Sequence, residues 1–327
     1  MSIRLGYQIP NFSYGGPVAD LFPTVIAQAR EAESSGFDTV FVMDHFYQLP
    51  GLGQLDEPML ESYTALAGLA TATSTIQLSA LVTGNTYRNP TMLAKTVTTL
   101  DVVSGGRAVL GIGAGWFELE HQQLGYEFGT FTDRFARLGE ALEIIAPMLR
   151  GDRPTYEGKW YRADGAINEP RFRDDLPILL GGSGERKTFG FAARYADHLN
   201  IICNADELPR KMAALADRCE ESGRDRGTLE TSYLASVILD EDGDRARRLQ
   251  REYLGVRGVD LDAMSASERA AATARQFVGS PDEVAEQLRT RVLDHGIDGL
   301  VINMAVNGHT PGVVELAGRT LRPLVGG

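Results

Sequence analysis

The sequence predicts an α/β protein whose fold is a (β/α)8 TIM barrel with insertions. Eight short segments are apolar throughout rather than alternating, which is typical of strands that are covered on both faces. A helical pattern follows each segment, as in repeated strand-and-helix units. No linker-like composition separates these units, so we expect residues 1–327 to form a single domain. The alternative is a doubly wound open sheet with a second domain.

The predicted strands and helices alternate in chain order. The apolar segments expected to be strands are residues 3–9, 38–43, 76–83, 108–112, 176–180, 197–203, 231–239 and 299–304. Helical spacing predicts helices at residues 18–35, 61–73, 90–103, 131–149, 206–222, 282–294 and 310–321, with a further helix that ends near residue 195. Gly36 ends the first helix, and the pairs Asn89-Pro90 and Ser280-Pro281 are typical helix starts.

Two stretches break this alternation. Residues 151–173 contain Tyr156, Trp160 and Tyr161 without helical spacing, so we expect a hairpin-like excursion over one end of the fold. Residues 242–280 are charged and have helical spacing over most of their length, so we expect a helical insertion there.

Composition argues against several classes of protein. The formal net charge of −12 at pH 7 disfavours general affinity for nucleic acid or anionic membranes. Cys203 and Cys219 are the only cysteines in the chain, so a disulfide framework is not expected. The N-terminal residues form no apolar signal region, and no apolar run approaches the length of a membrane span. We therefore expect a soluble cytoplasmic protein.

Chemistry in a TIM barrel gathers at the carboxyl ends of the strands. The residues predicted at these ends are mostly polar or small: Asn11, Asp44, His45, Thr83, Gly84, Asn85, Gly113, Ala114, Gly115, Trp116, Gly181, Gly182, Ser183, Gly184, Cys203, Asn204 and Asn303. They include one histidine beside one carboxylate, but no metal-ligand cluster and no nucleophile with its base. The site is therefore expected to hold an organic cofactor and no metal.

Alternating glycines mark the fourth predicted strand and its end, at Gly111, Gly113 and Gly115. Glycines at the end of a buried strand cost chain entropy, so we expect a flat or bulky ligand to approach the backbone closely there. The pattern is not the G-x-G-x-x-G dinucleotide fingerprint, and three predicted strands precede it.

Residues 181–184, Gly-Gly-Ser-Gly, are the most suitable phosphate cradle. Small residues at a helix N-terminus expose backbone N–H donors, Ser183 adds a hydroxyl, and Arg186 or Lys187 adds positive charge. The stretch is not a Walker loop, because Arg186 and not glycine precedes Lys187. The alternative is an ordinary tight turn in which the serine caps the helix.

His45 is the best candidate for a proton-transfer group, because it follows directly after a buried strand. The alternative is a histidine that only caps the strand end through Asp44. Trp116 and Phe117 either form a wall of the pocket or belong to the core beneath the excursion. Residues 80–83 are a candidate for a bulge that supports a planar ring.

Taken in chain order, five motifs resemble the bacterial luciferase-like family, and more closely its branch of deazaflavin (coenzyme F420)-dependent oxidoreductases. The matching stretches are residues 43–45 (Met-Asp-His), 83–90 (Thr-Gly-Asn-Thr-Tyr-Arg-Asn-Pro), 111–116 with Glu120, 177–184 and 278–283. They span nearly the whole chain. The resemblance implies a TIM barrel with insertions, usually a homodimer, with a tricyclic cofactor at the carboxyl ends of the strands.

The resemblance also implies roles for particular residues. A non-prolyl cis peptide that presses on one ring face maps to about Ala80-Leu81, and the turn at residues 182–184 takes the cofactor phosphate. The histidine that matches His45 takes a proton from a substrate hydroxyl while hydride passes to the deazaflavin ring. The expected cofactor-binding residues are Asp44, Ala80, Leu81, Thr83, Asn85, Gly113, Ala114, Gly115, Trp116, Gly181, Gly182, Ser183 and Gly184.

One position departs from the pattern of that branch. Some members have a glutamate directly after the glycines, where this chain has Trp116. The departure argues against a sugar-phosphate or simple secondary-alcohol substrate, and it leaves Glu118 or Glu120 as substitutes.

The leading functional hypothesis is an F420-dependent oxidoreductase that transfers hydride between the deazaflavin and a small organic substrate. The alternative within the family is a monooxygenase that uses reduced FMN and oxygen. A catalytically silent ligand-binding barrel is the third hypothesis, and Asp44-His45 beside a glycine-lined pocket argues against it. Arg251, Arg257 and Arg269 in the insertion either contact a polyanionic cofactor tail or lie on a solvated face.

Overall fold

The computed structural model describes residues 3–326, and its main sheet is a ring of parallel strands. The barrel strands are β1 (Leu5–Ile9), β2 (Thr39–Val42), β3 (Gln77–Ala80, continued by Thr83–Gly84), β4 (Leu110–Gly113), β5 (Ile178–Gly181), β6 (His198–Ile201), β7 (Glu230–Leu239) and β8 (Gly299–Asn303). They pair in the order β3, β2, β1, β8, β7, β6, β5, β4, and β4 pairs with the second segment of β3. A bridge between Leu78 and Ala108 completes the ring. The predicted barrel is therefore confirmed, and the doubly wound alternative is wrong.

Helices cover the outside of this ring. They are α1 (Val18–Ser34), α2 (Ser62–Ala72), α3 (Pro90–Ser104), α4 (Glu118–Leu124), α5 (Phe131–Arg150), α6 (Lys187–Tyr195), α7 (Leu208–Glu221), α8 (Gly243–Gly255), α9 (Ala266–Ala272), α10 (Pro281–Arg291) and α11 (Val313–Val325). Single 3₁₀ turns lie at Asn85–Tyr87, Ala205–Glu207, Arg226–Thr228 and Leu293–His295. The predicted starts of α3 and α10 are confirmed: Asn89 and Ser280 cap these helices, and each helix begins with proline.

The strands separate two apolar cores. Residues that point outward, such as Val40 and Val42 of β2, pack under the helices. The residue between them, Phe41, belongs to a smaller cluster with Val109, Leu179 and Val301. Since alternate residues of a barrel strand point to opposite faces, this second cluster fills the barrel interior.

The excursion and the insertion differ in how well the sequence predicts them. In residues 151–173, Tyr156–Glu157 pairs antiparallel with Arg162–Ala163, as expected for a hairpin. The carboxylate of Glu140 in α5 accepts hydrogen bonds from the backbone N–H groups of residues 159–161, which fixes the hairpin to the barrel.

The insertion is not helical throughout. Residues 242–280 contain α8 and α9 but end in a strand, Gln276–Gly279, that pairs in parallel with residues 236–239 of β7. The physical reason is the length of β7, whose carboxyl half extends beyond its pairing with β6 at residues 230–233 and leaves an edge free. The short strand satisfies that edge, and its Phe277 is fully buried.

Two further observations concern the cysteines and the possibility of membrane-spanning helices. Cys203 and Cys219 are buried free thiols. None of the helices within residues 3–326 combines the length and the apolar content that crossing a bilayer requires.

The buried strand in the insertion predicts a large effect of Phe277→Ala. Phe277 is 0 % exposed and packs against Tyr233, with ring centroids 6.2 Å apart. Removing a buried phenyl ring lowers the free energy of unfolding by about 3–5 kcal/mol, which urea denaturation measures. Val256→Ala in the same insertion, at a side chain 81 % exposed, is the control and changes it by less than about 0.5 kcal/mol. Equal effects of the two substitutions would contradict the assignment of residues 276–279 to the sheet.

Candidate active site

A cavity of about 650 Å³ opens at the carboxyl ends of the strands. Its volume lies within the range of pockets that hold cofactors and small substrates. The barrel supplies its floor, and residues 49–52, α8 and the segment at 271–276 supply its outer walls. The polar and titratable residues that line it are Gln8, His45, Trp116, Asn204, Ser236, Tyr253, Arg275, Gln276 and Asn303.

The structure brings together only some of the predicted site residues. Of the residues expected to act in catalysis or to bind the cofactor, His45, Leu81 and Trp116 line the cavity, and so do Asn204 and Asn303 at two other predicted strand ends. The remaining predicted residues lie at the same rim but outside this lining: Asp44, Ala80, Thr83, Asn85, Gly113, Ala114, Gly115, Gly181, Gly182, Ser183 and Gly184.

His45 is held by a buried carboxylate. Its Nδ1 lies 2.9 Å from Oε2 of Glu120, and the histidine side chain is 13 % exposed while that of Glu120 is 0 % exposed. A carboxylate can only accept a hydrogen bond, so Nδ1 carries the proton in this contact. No group within residues 3–326 hydrogen-bonds to Nε2, and the ring lines the cavity. Nε2 is therefore the nitrogen available to a bound molecule.

Glu120 reaches this position from the first turn of α4. Besides His45, its carboxylate accepts hydrogen bonds from the backbone N–H groups of Phe46 and Tyr47 and from the hydroxyl of Tyr87. Burial disfavours a charged carboxylate, but the hydrogen bonds from His45, Tyr87 and Tyr47 outweigh this effect and hold the pKa of Glu120 below its ordinary value. Glu120 is thus a carboxylate at neutral pH, and it fixes the orientation of the His45 ring.

Aromatic rings pack around the histidine. Trp116 and Phe117 both contact His45 edge-to-face, with ring centroids 5.6 and 5.9 Å from the imidazole. Trp116 is 59 % exposed and lines the cavity, whereas Phe117 is buried. Of the two open interpretations, Trp116 is a wall of the pocket and Phe117 belongs to the core.

Asp44 anchors the rim and does not face the cavity. Its carboxylate forms a bidentate ion pair with Arg88, at 2.7 and 2.9 Å, and accepts hydrogen bonds from the Ser62 hydroxyl and the Gly84 N–H. Burial lowers the pKa of Arg88, but the hydrogen bonds and charge of Asp44 outweigh it and raise that pKa. Asp44 therefore does not cap His45, and the histidine's carboxylate partner is Glu120.

The interruption of β3 lies one residue later than expected. The non-prolyl cis peptide joins Leu81 and Val82, not Ala80 and Leu81. The sequence has no proline to mark the bond, so only the family pattern suggested its place. Thr83 is buried and its hydroxyl pairs with that of Tyr63 at 2.7 Å.

Contacts within the protein explain why the rim has glycines at these positions. A Cβ on Gly113 or Gly181 would lie 2.8 or 2.7 Å from a methyl group of Val82, and a Cβ on Gly111 would lie 2.0 Å from the carbonyl oxygen of Ala80. The expected cause was the close approach of a ligand. The observed cause is the packing of β4 and β5 against the interrupted third strand, which leaves no room for side chains at these positions.

The turn at residues 181–184 has the donors expected of a phosphate cradle. Gly182 has a φ of +144° and donates its N–H to the carbonyl of Asn200 at 3.0 Å. The N–H groups of Ser183 and Gly184 and the Ser183 hydroxyl have no hydrogen-bond acceptor among the described residues. Lys211, which the sequence did not single out, donates to the Ser183 carbonyl at 2.9 Å and holds the turn from outside.

Sequence analysis also did not identify the cavity residues Gln8, Ser236, Tyr253, Arg275 and Gln276. Gln8, Asn303 and Ser236 lie in one row of the sheet register on three adjacent strands. The Ser236 hydroxyl donates to Asn303 at 3.0 Å, and the Asn303 amide donates to Gln8 at 3.4 Å. For Gln8 the available signal was a polar side chain in a short, otherwise apolar strand, whereas Ser236 shares its strand with Glu230, Thr231 and Ser232 and gave no such signal.

The fold and the cavity define the chain as a TIM barrel with its ligand site at the carboxyl rim. Comparison of the sequence shows that the chain belongs to the luciferase-like monooxygenase family, whose profile matches residues 3–299. Members similar to this chain are F420- or flavin-dependent oxidoreductases and monooxygenases, so the chain is an enzyme of that group.

Both a dehydrogenase and a monooxygenase are among the relatives similar to the chain. It is 32 % identical to the F420-dependent glucose-6-phosphate dehydrogenase of Nakamurella multipartita, over 95 % of this chain and 91 % of the relative. It is 29 % identical to the pyrimidine monooxygenase RutA of Stutzerimonas stutzeri, over 73 % and 66 % of the two chains.

Solved structures support the fold. An F420-dependent secondary alcohol dehydrogenase in complex with an F420-acetone adduct superposes with a TM-score of 0.79 and 21 % identity, over 99 % of both chains. The monooxygenase RslO1 from Streptomyces bottropensis gives the same TM-score at 19 % identity, over 98 % of this chain and 97 % of its own.

The contact between Val82 and the glycines predicts a specific coupling. Gly181→Ala lowers the free energy of unfolding by about 1–3 kcal/mol, because the new methyl group meets Val82. In a Val82→Ala background the same substitution costs less than half as much, as a double-mutant cycle in urea measures. Gly190→Ala in α6, where a Cβ meets open space, is the control and does not destabilise. A neutral Gly181→Ala that loses cofactor binding would instead support the ligand-approach explanation.

The lowered pKa of Glu120 predicts a pH-dependent stability. A depressed folded pKa contributes stability that is present above the unfolded value, ordinarily 4.5, and is lost as the pH falls through the lower folded value. Glu120→Gln therefore lowers the free energy of unfolding by about 1–3 kcal/mol at pH 7, and this difference from the wild type shrinks below pH 4.5. Urea denaturation across this pH range measures it. Glu118→Gln, at an exposed neighbour, is the control, and an equal, pH-independent loss in both variants would contradict the interpretation.

Proposed function

We propose that the enzyme is an F420-dependent oxidoreductase that transfers hydride between the deazaflavin and a small hydroxyl or carbonyl compound. The observation that carries the proposal is the His45–Glu120 pair, which presents Nε2 of an oriented imidazole to the cavity. The 32 % identity to an F420-dependent dehydrogenase over most of both chains supports this choice of cofactor.

Residues of this chain can accept the proton that leaves the substrate hydroxyl. With Nδ1–H held by the Glu120 carboxylate, the lone pair of His45 Nε2 faces the cavity and accepts the proton of a substrate hydroxyl. The negative charge of Glu120 then stabilises the imidazolium that forms, as a carboxylate does for the histidine of a catalytic triad. In the reverse direction the same Nε2 donates the proton to the alkoxide oxygen.

The residues at the rim fit a planar cofactor with an anionic tail. Leu81 and Trp116 supply apolar surface to the cavity, and the backbone N–H groups of Ser183 and Gly184 and the Ser183 hydroxyl are unpaired donors of the kind that bind phosphate. The side-chain oxygen of Asn85 is a buried acceptor without a partner among the described residues. When bound, F420 supplies a two-electron hydride carrier.

The second candidate is a monooxygenase that uses reduced FMN and oxygen. The similarity to a pyrimidine monooxygenase over 73 % of the chain favours it, and the donors of residues 183–184 suit the phosphate of either cofactor. Removal of a hydroxyl proton requires a base, and the oriented His45 imidazole meets this requirement of the dehydrogenase reaction.

Two measurements test the proposal. Fluorescence titration with F420 and with FMN, each oxidised and reduced, is expected to give micromolar affinity for F420 and negligible affinity for FMN, while the reverse result would favour the monooxygenase. His45→Ala is expected to retain F420 affinity and to slow F420 reduction, assayed with a panel of alcohols, by about 10²–10⁴-fold. His295→Ala, at an exposed histidine, is the control. Unchanged turnover in His45→Ala would remove this residue from the mechanism.

A further inference from the structure

The floor of the cavity carries a row of three uncharged polar side chains, the polar row. Gln8 in β1, Asn303 in β8 and Ser236 in β7 occupy paired positions on three adjacent strands, and all three line the cavity. The lining beside them is apolar at Leu81 and Leu234, and no aspartate or glutamate among the described residues contributes to it. Since apolar side chains ordinarily fill the interior of such a barrel, the polar row indicates a specific function at the floor.

The hydrogen bonds of the polar row all run in one direction. Nε2 of Gln8 donates to the backbone carbonyl of Leu81 at 3.5 Å, and Nδ2 of Asn303 donates to Oε1 of Gln8 at 3.4 Å. The Ser236 hydroxyl donates to Oδ1 of Asn303 at 3.0 Å. A backbone carbonyl can only accept, so the contact with Leu81 fixes which atom of the Gln8 amide is nitrogen, and the orientation of the Asn303 amide follows from that of Gln8.

This arrangement leaves two hydrogen-bond donors unused at the cavity floor. A side-chain amide nitrogen carries two N–H groups, and Gln8 and Asn303 each use one of them. The second N–H of each residue has no acceptor within residues 3–326, whereas both amide oxygens already accept a hydrogen bond. Neighbouring strands lie about 4.8 Å apart, so the two amide groups are close enough to donate to one shared acceptor atom.

The polar row lies deeper in the cavity than His45. Gln8 pairs with Phe41 in β2, and His45 follows four residues later, beyond the carboxyl end of that strand. Much of the remaining lining is apolar. A molecule that reaches both His45 and the polar row therefore has two polar groups joined by an apolar body.

We propose that Gln8 and Asn303 bind a second carbonyl oxygen of the substrate, separate from the oxygen that reacts at His45. A carbonyl oxygen has two lone pairs and no proton, so it matches two converging N–H donors. The substrate is thus an uncharged hydroxyketone, whose oxidation gives a diketone as its hydride passes to F420 and its hydroxyl proton to His45. The assignment as substrate rests on the proposed function, whereas the binding of a carbonyl by the polar row does not.

The test compares 8-hydroxy-2-octanone with 1-octanol, which share a hydroxylated eight-carbon chain and differ in the carbonyl group. Each is titrated into the full-length protein without cofactor, and ¹⁵N NMR follows the side-chain NH₂ signals of Gln8 and Asn303. We expect the hydroxyketone to shift both signals and 1-octanol to leave them in place. Gln8→Met and Asn303→Leu identify the signals by their loss. Each variant is expected to bind the hydroxyketone about 3- to 10-fold more weakly and to change 1-octanol binding less than about 2-fold.

Ser236→Ala is the matched control, because it breaks the polar row but leaves both N–H donors in place. It is expected to change the affinity for either probe by less than about 2-fold. Absence of the shifts in the wild type would overturn the proposal, and this measurement stands even where a variant fails to fold. Equal weakening of both probes, or a loss of hydroxyketone affinity in Ser236→Ala as large as in Gln8→Met, would also overturn it and make the polar row a structural element.

A second arm adds F420 to separate this proposal from the proposed function. Negligible F420 affinity would overturn the proposed function and with it the assignment of the hydroxyketone as substrate. The shifts of the Gln8 and Asn303 signals would still support carbonyl binding by the polar row.

Discussion

The carboxylate of Glu120 is buried at the rim of the barrel, where its hydrogen bonds join three separate parts of the chain. Residues 45–47 follow β2, Tyr87 follows β3, and Glu120 itself lies in α4 after β4. A buried charge without these donors would be strongly unfavourable, so the contacts fix the relative positions of three successive strand ends. The same interaction orients His45, the one histidine among the described residues that lines the cavity. Stability of the rim and the chemistry proposed for it therefore depend on one group.

Much of the barrel was predictable because its strands are buried on both faces. Short runs that are mostly apolar, such as residues 38–43 and 299–304, mark them, and caps such as Asn89-Pro90 mark the helices. The strand at Gln276–Gly279 was not predictable from its own residues. It is four residues long, contains one fully buried apolar side chain, and exists because the far half of β7 has an unpaired edge. An edge of that kind is a property of the assembled sheet, not of a local pattern.

The candidate site was predictable in position but not in its connections. His45 could be placed at a strand end from sequence, whereas its partner lies 75 residues further on and the adjacent Asp44 was the obvious candidate. In the structure, Asp44 forms an ion pair with Arg88 instead. The glycines at positions 111, 113 and 181 show the same limit, since their absence of side chains was clear but its cause, the packing against Ala80 and Val82, is a tertiary contact. The sequence thus indicates which positions are constrained. Only the structure shows which tertiary contacts impose the constraint.

The central claim is that Glu120 holds the proton on Nδ1 of His45 and leaves Nε2 free towards the cavity. Long-range ¹⁵N NMR of the histidine ring at a pH where the imidazole is neutral measures this tautomer directly. We expect a protonated Nδ1 and an unprotonated Nε2 in the wild type, with mixed tautomers in Glu120→Gln. A proton on Nε2 in the wild type would contradict it, because that nitrogen could then not accept a proton from a substrate.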